Sequence, residues 1–324
     1  MNILITGGAG FIGINFLNKL LKKKYGNILV IDSLDYSSNK KYFLKIQKQD
    51  NFFFENCKIQ NKKRVRQIIK NFEPNIIYNF AAETHVDNSI IDPKKFLDTN
   101  VYGTFNLLEN LRDLYSSKNY KNIKFIHIST DEVFGDVIKK SNESSAYNPS
   151  SPYSVSKASS DFLVKSWGRT FGLPFIITNC SNNYGPFQHK EKFIPKIIDS
   201  IINNKFIPVY GNGLQKRDWL YVEDHVDALL KLINTKKTNE SFNIASGKET
   251  KNINILMLII KILESDYNFL DLNKLIKYVK DRPGHDVRYS VNCDKFKNHF
   301  NWKNKFSIER GIRKTIKWYM NNNE

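Results

Sequence analysis

The sequence predicts an α/β protein built on a doubly wound parallel sheet, with a smaller, mixed C-terminal lobe. Three observations support that class. Short apolar runs alternate with amphipathic stretches through the first half of the chain, and a glycine-rich turn directly follows the first run. Beyond about residue 185 the alternation gives way to short segments punctuated by Pro186, Pro195, Pro208, Gly211, Gly213, Pro283 and Gly284. Strands that alternate with helices imply parallel pairing, because a parallel crossover needs a helix-length connection.

The apolar runs are Ile3-Leu4-Ile5, Ile28-Leu29-Val30-Ile31, Phe52-Phe53-Phe54, Ile76-Ile77-Tyr78, Phe125-Ile126-His127-Ile128 and Phe175-Ile176-Ile177. Their near-continuous apolarity fits strands buried on both faces. Helix-like stretches fall near 11–24, 62–71, 94–116 and 155–171. The expected division is a first lobe over 1–185 and a second over 186–324. The boundary is soft, and no linker separates the lobes, so they should interleave and pack together.

Composition narrows the classes. The chain has 324 residues, 41% of them hydrophobic, enough for a large core. No apolar run reaches the roughly 18 residues of a membrane span. The N-terminal stretch lacks the basic, apolar and cleavage regions of a secretory signal, so a cytoplasmic protein is expected. Cys57, Cys180 and Cys293 are far apart and form no C-x-x-C, and the six histidines lack ligand spacing. Neither a disulfide framework nor a metal site is expected. The formal charge is +18, yet the lysines are dispersed, as at Lys22 to Lys24, Lys62-Lys63 and Lys236-Lys237. No basic stripe with interleaved aromatics stands out, so nucleic acid is not expected as a partner. An anionic small ligand suits the charge better.

Thr6-Gly7-Gly8-Ala9-Gly10-Phe11-Ile12-Gly13 lies between the first strand and the first helix. Gly7, Gly10 and Gly13 let the backbone turn tightly and approach a pyrophosphate at the positive helix N-terminus. Asp32 ends the second strand, 19 residues beyond Gly13. A carboxylate there can accept from the adenosine ribose hydroxyls and would repel a 2′-phosphate. The expected site is a Rossmann-type one, and the expected cofactor is NAD rather than NADP.

Tyr153 and Lys157 are four apart, just after Pro152, a residue suited to a helix N-terminus. An ammonium beside a phenol lowers the phenol's pKa and makes it a usable base. The fifth strand ends in Thr130, Asp131 and Glu132, where parallel sheets bind ligands. Two carboxylates at such a site can divide acid and base roles.

Together these residues resemble the dTDP-glucose 4,6-dehydratases, a branch of the extended short-chain dehydrogenases/reductases. The resemblance runs almost end to end. It includes Ala81-Ala82-Glu83-Thr84-His85-Val86-Asp87 and Asn179-Cys180-Ser181-Asn182-Asn183-Tyr184-Gly185-Pro186. It continues through Arg217-Asp218-Trp219-Leu220 and Asp281-Arg282-Pro283-Gly284-His285-Asp286. The resemblance implies an internal redox cycle on a nucleoside-diphosphate glucose. Tyr153, assisted by Lys157, takes the 4-hydroxyl proton while hydride passes from C4 to NAD, and Thr130 positions that hydroxyl. Glu132 is the implied base at C5 and Asp131 the implied acid at the leaving 6-hydroxyl. Hydride then returns to C6, giving a 4-keto-6-deoxy sugar nucleotide.

Carried over residue by residue, Phe11, Ile12, Asp32, Asp35, Ile59, Ala81, Ala82, Thr99 and Asn183 resemble cofactor contacts. Thr84, Asn182, Lys192, Arg217, Asn252, Arg282 and His285 resemble substrate contacts. A guanidinium suits a diphosphate, so Arg217 and Arg282 are expected to grip one. One departure is Lys58, where the family has an Asp beside the adenine amino group; lysine cannot accept that hydrogen bond. A homodimer through helices 94–116 and 155–171 is also implied. The alternatives are a UDP-glucose 4,6-dehydratase, a nucleotide-sugar 4-epimerase, and a non-catalytic NAD-binding regulatory protein.

Overall fold

The computed structural model describes residues 1–46, 51–117 and 123–322. The chain begins β1 (Asn2–Thr6), α1 (Phe11–Lys23), β2 (Asn27–Asp32), α2 (Lys40–Ile46), β3 (Phe52–Asn56), α3 (Lys62–Phe72) and β4 (Ile76–Asn79). It continues through α4 (Val86–Ile91), α5 (Pro93–Phe96), a π-helical turn over Leu97–Gly103, α6 (Thr104–Ser117) and β5 (Lys124–Thr130). A 3-10 turn over Asp131–Phe134 leads to α7 (Pro152–Phe171), β6 (Phe175–Cys180) and β7 (Asn182–Tyr184). The remainder is α8 (Phe193–Ile202), β8 (Ile207–Tyr210), β9 (Lys216–Tyr221), α9 (Val222–Lys231), β10 (Glu240–Ile244) and β11 (Glu249–Lys251). Then come α10 (Asn252–Tyr267), β12 (Ile276–Val279), α11 (Asp294–Phe300) and α12 (Ile308–Asn321).

Seven strands form the main sheet in the order β10-β6-β5-β4-β1-β2-β3, every pair parallel. Successive side chains of a strand point to opposite faces. Accordingly Ile3 and Ile5 of β1 join α1 and α9 on one face, while Leu4 joins α3, α6 and α7 on the other. The strand order reverses between β1 and β4, and ligands bind outside the carboxyl ends at such a point.

Two later elements cross the boundary at 185. β10 pairs with β6 as the seventh strand, and α9 packs Val226, Leu229 and Leu230 into the core beside Ile14 and Leu17. The second lobe gathers α8, α10 and α12 around β8 and β9. β9 joins the lobes by its alternation: Trp219 and Tyr221 enter the second core and Leu220 enters the first. No helix among the described residues is long and apolar enough to cross a membrane.

The helix expected over 94–116 is not uniform. Its first part is α5 and a π-helical turn, and π turns often mark functional sites. Asn100 in this turn donates to Ser156 Oγ (2.8 Å) and to the Glu83 carbonyl (3.0 Å), and accepts from Glu83 N (2.8 Å). The turn therefore ties the loop after β4 to α7. Gly103 closes it where a Cβ would lie 2.5 Å from Ile59 Cδ1.

α7 starts at a capping box. Ser151 Oγ accepts from Ser154 N (3.1 Å), Ser154 Oγ accepts from Ser151 N (3.0 Å), and Pro152 occupies the first turn. Ser151→Ala is expected to lower stability by about 1 kcal/mol. Urea unfolding should show a lower midpoint at an unchanged slope; an unaltered midpoint would mean that the cap contributes nothing.

Candidate active site

One channel runs along the carboxyl ends of the sheet and on into the second lobe. Its first section is lined by Gly7, Gly10, Asp32, Asp35, Ile59, Ala81, Ala82, Thr84 and Thr99. The middle holds Phe11, Ile12, Gly13, Thr130, Asp131, Glu132, Tyr153, Lys157 and Asn183. The far section holds Arg217, Asn252, Arg282 and His285, and shares Thr84, Glu132, Asn182 and Lys192 with the middle. Every residue singled out in the sequence therefore faces one continuous cleft.

At the first end the glycine loop fits a dinucleotide. Gly7 has φ +70°, and a Cβ there would lie 2.6 Å from Ala81 N. A Cβ on Gly13 would lie 2.2 Å from the Gly7 carbonyl oxygen. Gly10 is the N-cap of α1 and has no side chain to cap the first-turn N–H groups, which are left for an anion. Asp32 accepts from Ala9 N (2.9 Å) and Leu34 N (2.8 Å), so it also fastens the loop. Thr99 Oγ1 accepts from Gln60 Nε2 (2.7 Å), and both residues line this section together with exposed Lys58. Asn183 is held by Ser181 O (2.9 Å) and His225 Nδ1 (3.0 Å).

In the middle, β5 delivers Thr130 and the turn after it delivers Asp131 and Glu132. Tyr153 enters from α7 under the ring of Phe96. Lys157 Nζ donates to the Ile128 carbonyl at 2.7 Å. The phenol does not follow the sequence expectation. Burial pushes its pKa well above the usual value, Glu132 raises it further, and a Thr130 hydrogen bond pulls it only partly back. Lys157 is tied to a strand carbonyl, so in the chain alone it does not make the phenol acidic.

The carboxylates behave differently from each other. Burial raises Asp131 well above the usual range, and the charges of Glu132 and Asp218 add to it. Burial also raises Glu132, but Arg282, Arg217 and Lys192 pull it back. Asp131 is thus the better proton holder and Glu132 the better anion. Asp131 Oδ2 and Glu132 Oε2 are buried without a partner among the described residues, as are Asn182 Oδ1, Asn252 Oδ1 and Arg282 Nε. Unmade hydrogen bonds of buried groups cost about 1–3 kcal/mol each. A polar ligand in the cleft would satisfy them.

At the second-lobe end, Arg217 lines the cleft but is largely engaged by the protein itself. It is buried, stacks 4.0 Å from the centre of the Tyr289 ring, and donates to the carbonyls of Lys216 (2.8 Å), Val287 (3.3 Å) and Asp286 (2.8 Å). Only one edge of its fork stays open to a diphosphate. Arg282 is held less firmly, by Asp87 at 3.3 Å, and Lys192 donates to the Thr84 carbonyl at 2.6 Å. His285 Nδ1 lies 2.6 Å from Asp281.

Sequence reasoning missed Tyr36 and Glu191, which meet over the cleft. The Tyr36 hydroxyl lies 3.2 Å from Glu191 Oε2 and accepts from Asn88 Nδ2 at 3.1 Å. It also missed Asp161, fully buried behind Lys157. The cue available for both was chemical type alone, since neither belongs to a spaced motif.

A family model described as GDP-mannose 4,6 dehydratase matches residues 4–315. The chain is 43% identical to a dTDP-glucose 4,6-dehydratase of Escherichia coli, over 100% of this chain and 95% of that protein. It is similar to the crystal structure of a Bacillus anthracis dTDP-glucose 4,6-dehydratase in complex with NAD, with TM-score 0.88, 40% identity, and 99% and 97% of the two chains covered. It is similar also to a Streptomyces venezuelae dTDP-glucose 4,6-dehydratase with NAD and TDP bound, with TM-score 0.91, 33% identity, and 99% and 98% covered.

Asp32→Ala removes both the ribose acceptor and the fastening of the glycine loop. It is expected to weaken NAD binding and to narrow the preference for NAD over NADP in calorimetric titrations. Tighter binding of NADP than NAD by the unaltered protein would contradict the role given to Asp32.

Proposed function

The chain belongs to the dTDP-glucose 4,6-dehydratase family of extended short-chain dehydrogenases/reductases, and on that premise we propose that it converts dTDP-glucose to dTDP-4-keto-6-deoxyglucose. The observation that carries the reading is the meeting, in one cleft, of a Tyr–Lys pair and two buried carboxylates with unpartnered oxygens. Oxidation of an alcohol needs only the pair. Loss of water across C5–C6 needs an acid and a base as well, and a 4-epimerase would leave Asp131 and Glu132 without a task.

NAD held by the glycine loop and Asp32 would supply the redox chemistry, accepting hydride from C4 and, once reduced, giving it back at C6. Tyr153 removes the proton of the 4-hydroxyl, which Thr130 orients. The resulting 4-ketone acidifies C5, and Glu132, on which Arg282, Arg217 and Lys192 offset part of the effect of burial, takes that proton. Asp131, kept protonated by burial and by Glu132, gives its proton to the departing 6-hydroxyl, so water leaves; when hydride reaches C6, Glu132 returns its proton to C5. The gradient from a protonated acid to a cation-stabilised base supports this division of roles. Arg282, Lys192 and the open edge of Arg217 are the cations placed to hold the diphosphate, with Asn252 and Asn182 presenting unpartnered amide oxygens.

A homodimer is proposed through the face made by α7 and the π-helical turn before α6. Phe162, Val155, Leu97 and Tyr102 stand exposed there, and Ile91 of α4 extends the apolar surface. The cytoplasm is proposed as the location of the enzyme.

Tyr153→Phe should lower NAD reduction by about two orders of magnitude or more, the scale of a lost general base. Asp131→Asn and Glu132→Gln should still reduce bound NAD on mixing with dTDP-glucose, and then stall. NADH absorbance should accumulate while keto-sugar product falls. If either variant makes product at the wild-type rate, its residue does not carry the elimination. Phe162→Glu is expected to shift the protein from dimer to monomer in sedimentation velocity; an unmoved dimer would place the interface elsewhere.

A further inference from the structure

Lys157, as the partner of Tyr153, sits in surroundings that disfavour a positive charge. Its ammonium is only 3% exposed, and the acceptor it meets is the neutral Ile128 carbonyl. A buried ammonium without a counter-charge tends to lose its proton. Burial pulls Lys157 down, and Asp161, ahead of Cys180, offsets part of that shift. Asp131 and Glu132 are nearer in sequence to the chemistry, but they press on Tyr153.

Asp161 lies one helical turn beyond Lys157 on the inner face of α7, at 0% exposure. Its Oδ2 accepts from Ser129 Oγ (2.8 Å), Tyr147 OH (2.9 Å) and Asn179 Nδ2 (3.3 Å). Its Oδ1 stands 3.4 Å from His127 Nε2. Three donors on one oxygen favour the charged form. We propose that Asp161 is a positioning residue for Lys157: a fully buried carboxyl one helical turn along the inner face of α7, not in direct ion-pair contact, that serves as the counter-charge of the lysine's ammonium. The proposal rests on the reading that Lys157 assists Tyr153.

The other groups around the pair are neutral or cationic. His127 of β5 is pushed well below its usual pKa by burial and by Lys157, so its imidazole is neutral. Asn79 Oδ1 accepts from Thr6 Oγ1 (2.6 Å), so its amide nitrogen faces His127 Nδ1 (3.1 Å) and the imidazole proton sits on Nε2, towards Ser160 and Asp161. Cys180 of β6 is pushed up to about 12 by burial and by Asp131, and stays a thiol. Lys165, on the same helix, sits over the Tyr147 ring at 4.6 Å and adds a second positive charge towards Asp161. Burial raises the Asp161 carboxyl, while Lys157, Ser129 and Tyr147 hold it down. Asp161 is thus the buried carboxyl on the Lys157 side of the site; a hydrogen-bonded chain Thr6–Asn79–His127–Ser160 runs from the glycine-loop strand to α7 beside it, and the Asp161 Oδ1 is left without a hydrogen-bond partner among the described residues.

The sign of the effect follows. Asp161 raises the pKa of Lys157, so its neutralisation lowers that pKa and activity is lost at a lower pH on the alkaline side. The test is stopped-flow reduction of bound NAD by dTDP-glucose across the neutral to alkaline range, with wild type, Asp161→Asn and Asp161→Glu. Asp161→Asn should move the alkaline limb down by about one pH unit or more, the scale of a lost opposite charge. Asp161→Glu, which keeps the charge, should restore much of the wild-type limb. A slower Asp161→Asn enzyme with an unmoved limb would mean that the residue is merely structural, and would overturn the proposal. A wild type that never reduces NAD with dTDP-glucose would instead remove the functional reading on which it rests. Should Asp161→Asn fail to fold, NMR titration of the Lys157 ammonium in wild type decides, with Lys157→Met for assignment. A proton retained above neutral pH supports the counter-charge, and one lost below neutral pH overturns it.

Discussion

The 2.7 Å hydrogen bond from Lys157 to the Ile128 carbonyl sets the register between α7 and β5. β5 runs straight into Thr130, Asp131 and Glu132, and α7 carries Tyr153 one turn before Lys157. With the lysine fixed on the strand, the phenol and the two carboxylates face the same volume. The capping box at Ser151 fixes where α7 begins, and Asn100 pins its first turns to the loop after β4. The interlocked lobes then add Arg217, Arg282 and Lys192 from the far side. Long-range parallel pairing thereby brings together acid, base and cation-bearing segments that are distant in sequence.

Dryness gives those groups their separate characters. In water two adjacent carboxylates would titrate alike. Here burial raises both, and the difference comes from which charges each one sees. Asp131 sees Glu132 and Asp218 more strongly than Arg217, whereas Glu132 sees Arg282, Arg217 and Lys192 more strongly than Asp286. The same dryness makes Tyr153 a weak acid in the chain alone, so the sequence expectation of a phenol made acidic by Lys157 is incomplete. Burial lowers the pKa of Lys157 as well, so the positive charge proposed for it in this low-dielectric site calls for compensation.

Much of the sheet was legible because its strands are buried on both faces and read as unbroken apolar runs. Gly7, Gly10, Gly13 and Asp32 were legible because backbone approach demands particular residue types at particular spacings. β10 was not legible, since Glu240-Ser241-Phe242-Asn243-Ile244 is short and polar, and its place at the sheet edge comes from pairing with β6. The π-helical turn was missed because a helical period does not reveal an extra residue per turn. Asp161 and His127 look like isolated polar residues in a helix and a strand, and only the packing makes them a network. For Arg217 the sequence suggested a diphosphate contact but could not show that β9 buries it and that backbone carbonyls take three of its N–H groups.

The central claim is that burial and neighbouring charge keep Asp131 protonated while Glu132 is ionised. Infrared difference spectroscopy of the NAD-bound enzyme at neutral pH tests it directly, because a protonated carboxylic acid has its own carbonyl band. The account predicts such a band in wild type and in Glu132→Gln, and its loss in Asp131→Asn. A wild-type spectrum without the band, or a band lost in Glu132→Gln and kept in Asp131→Asn, would contradict it.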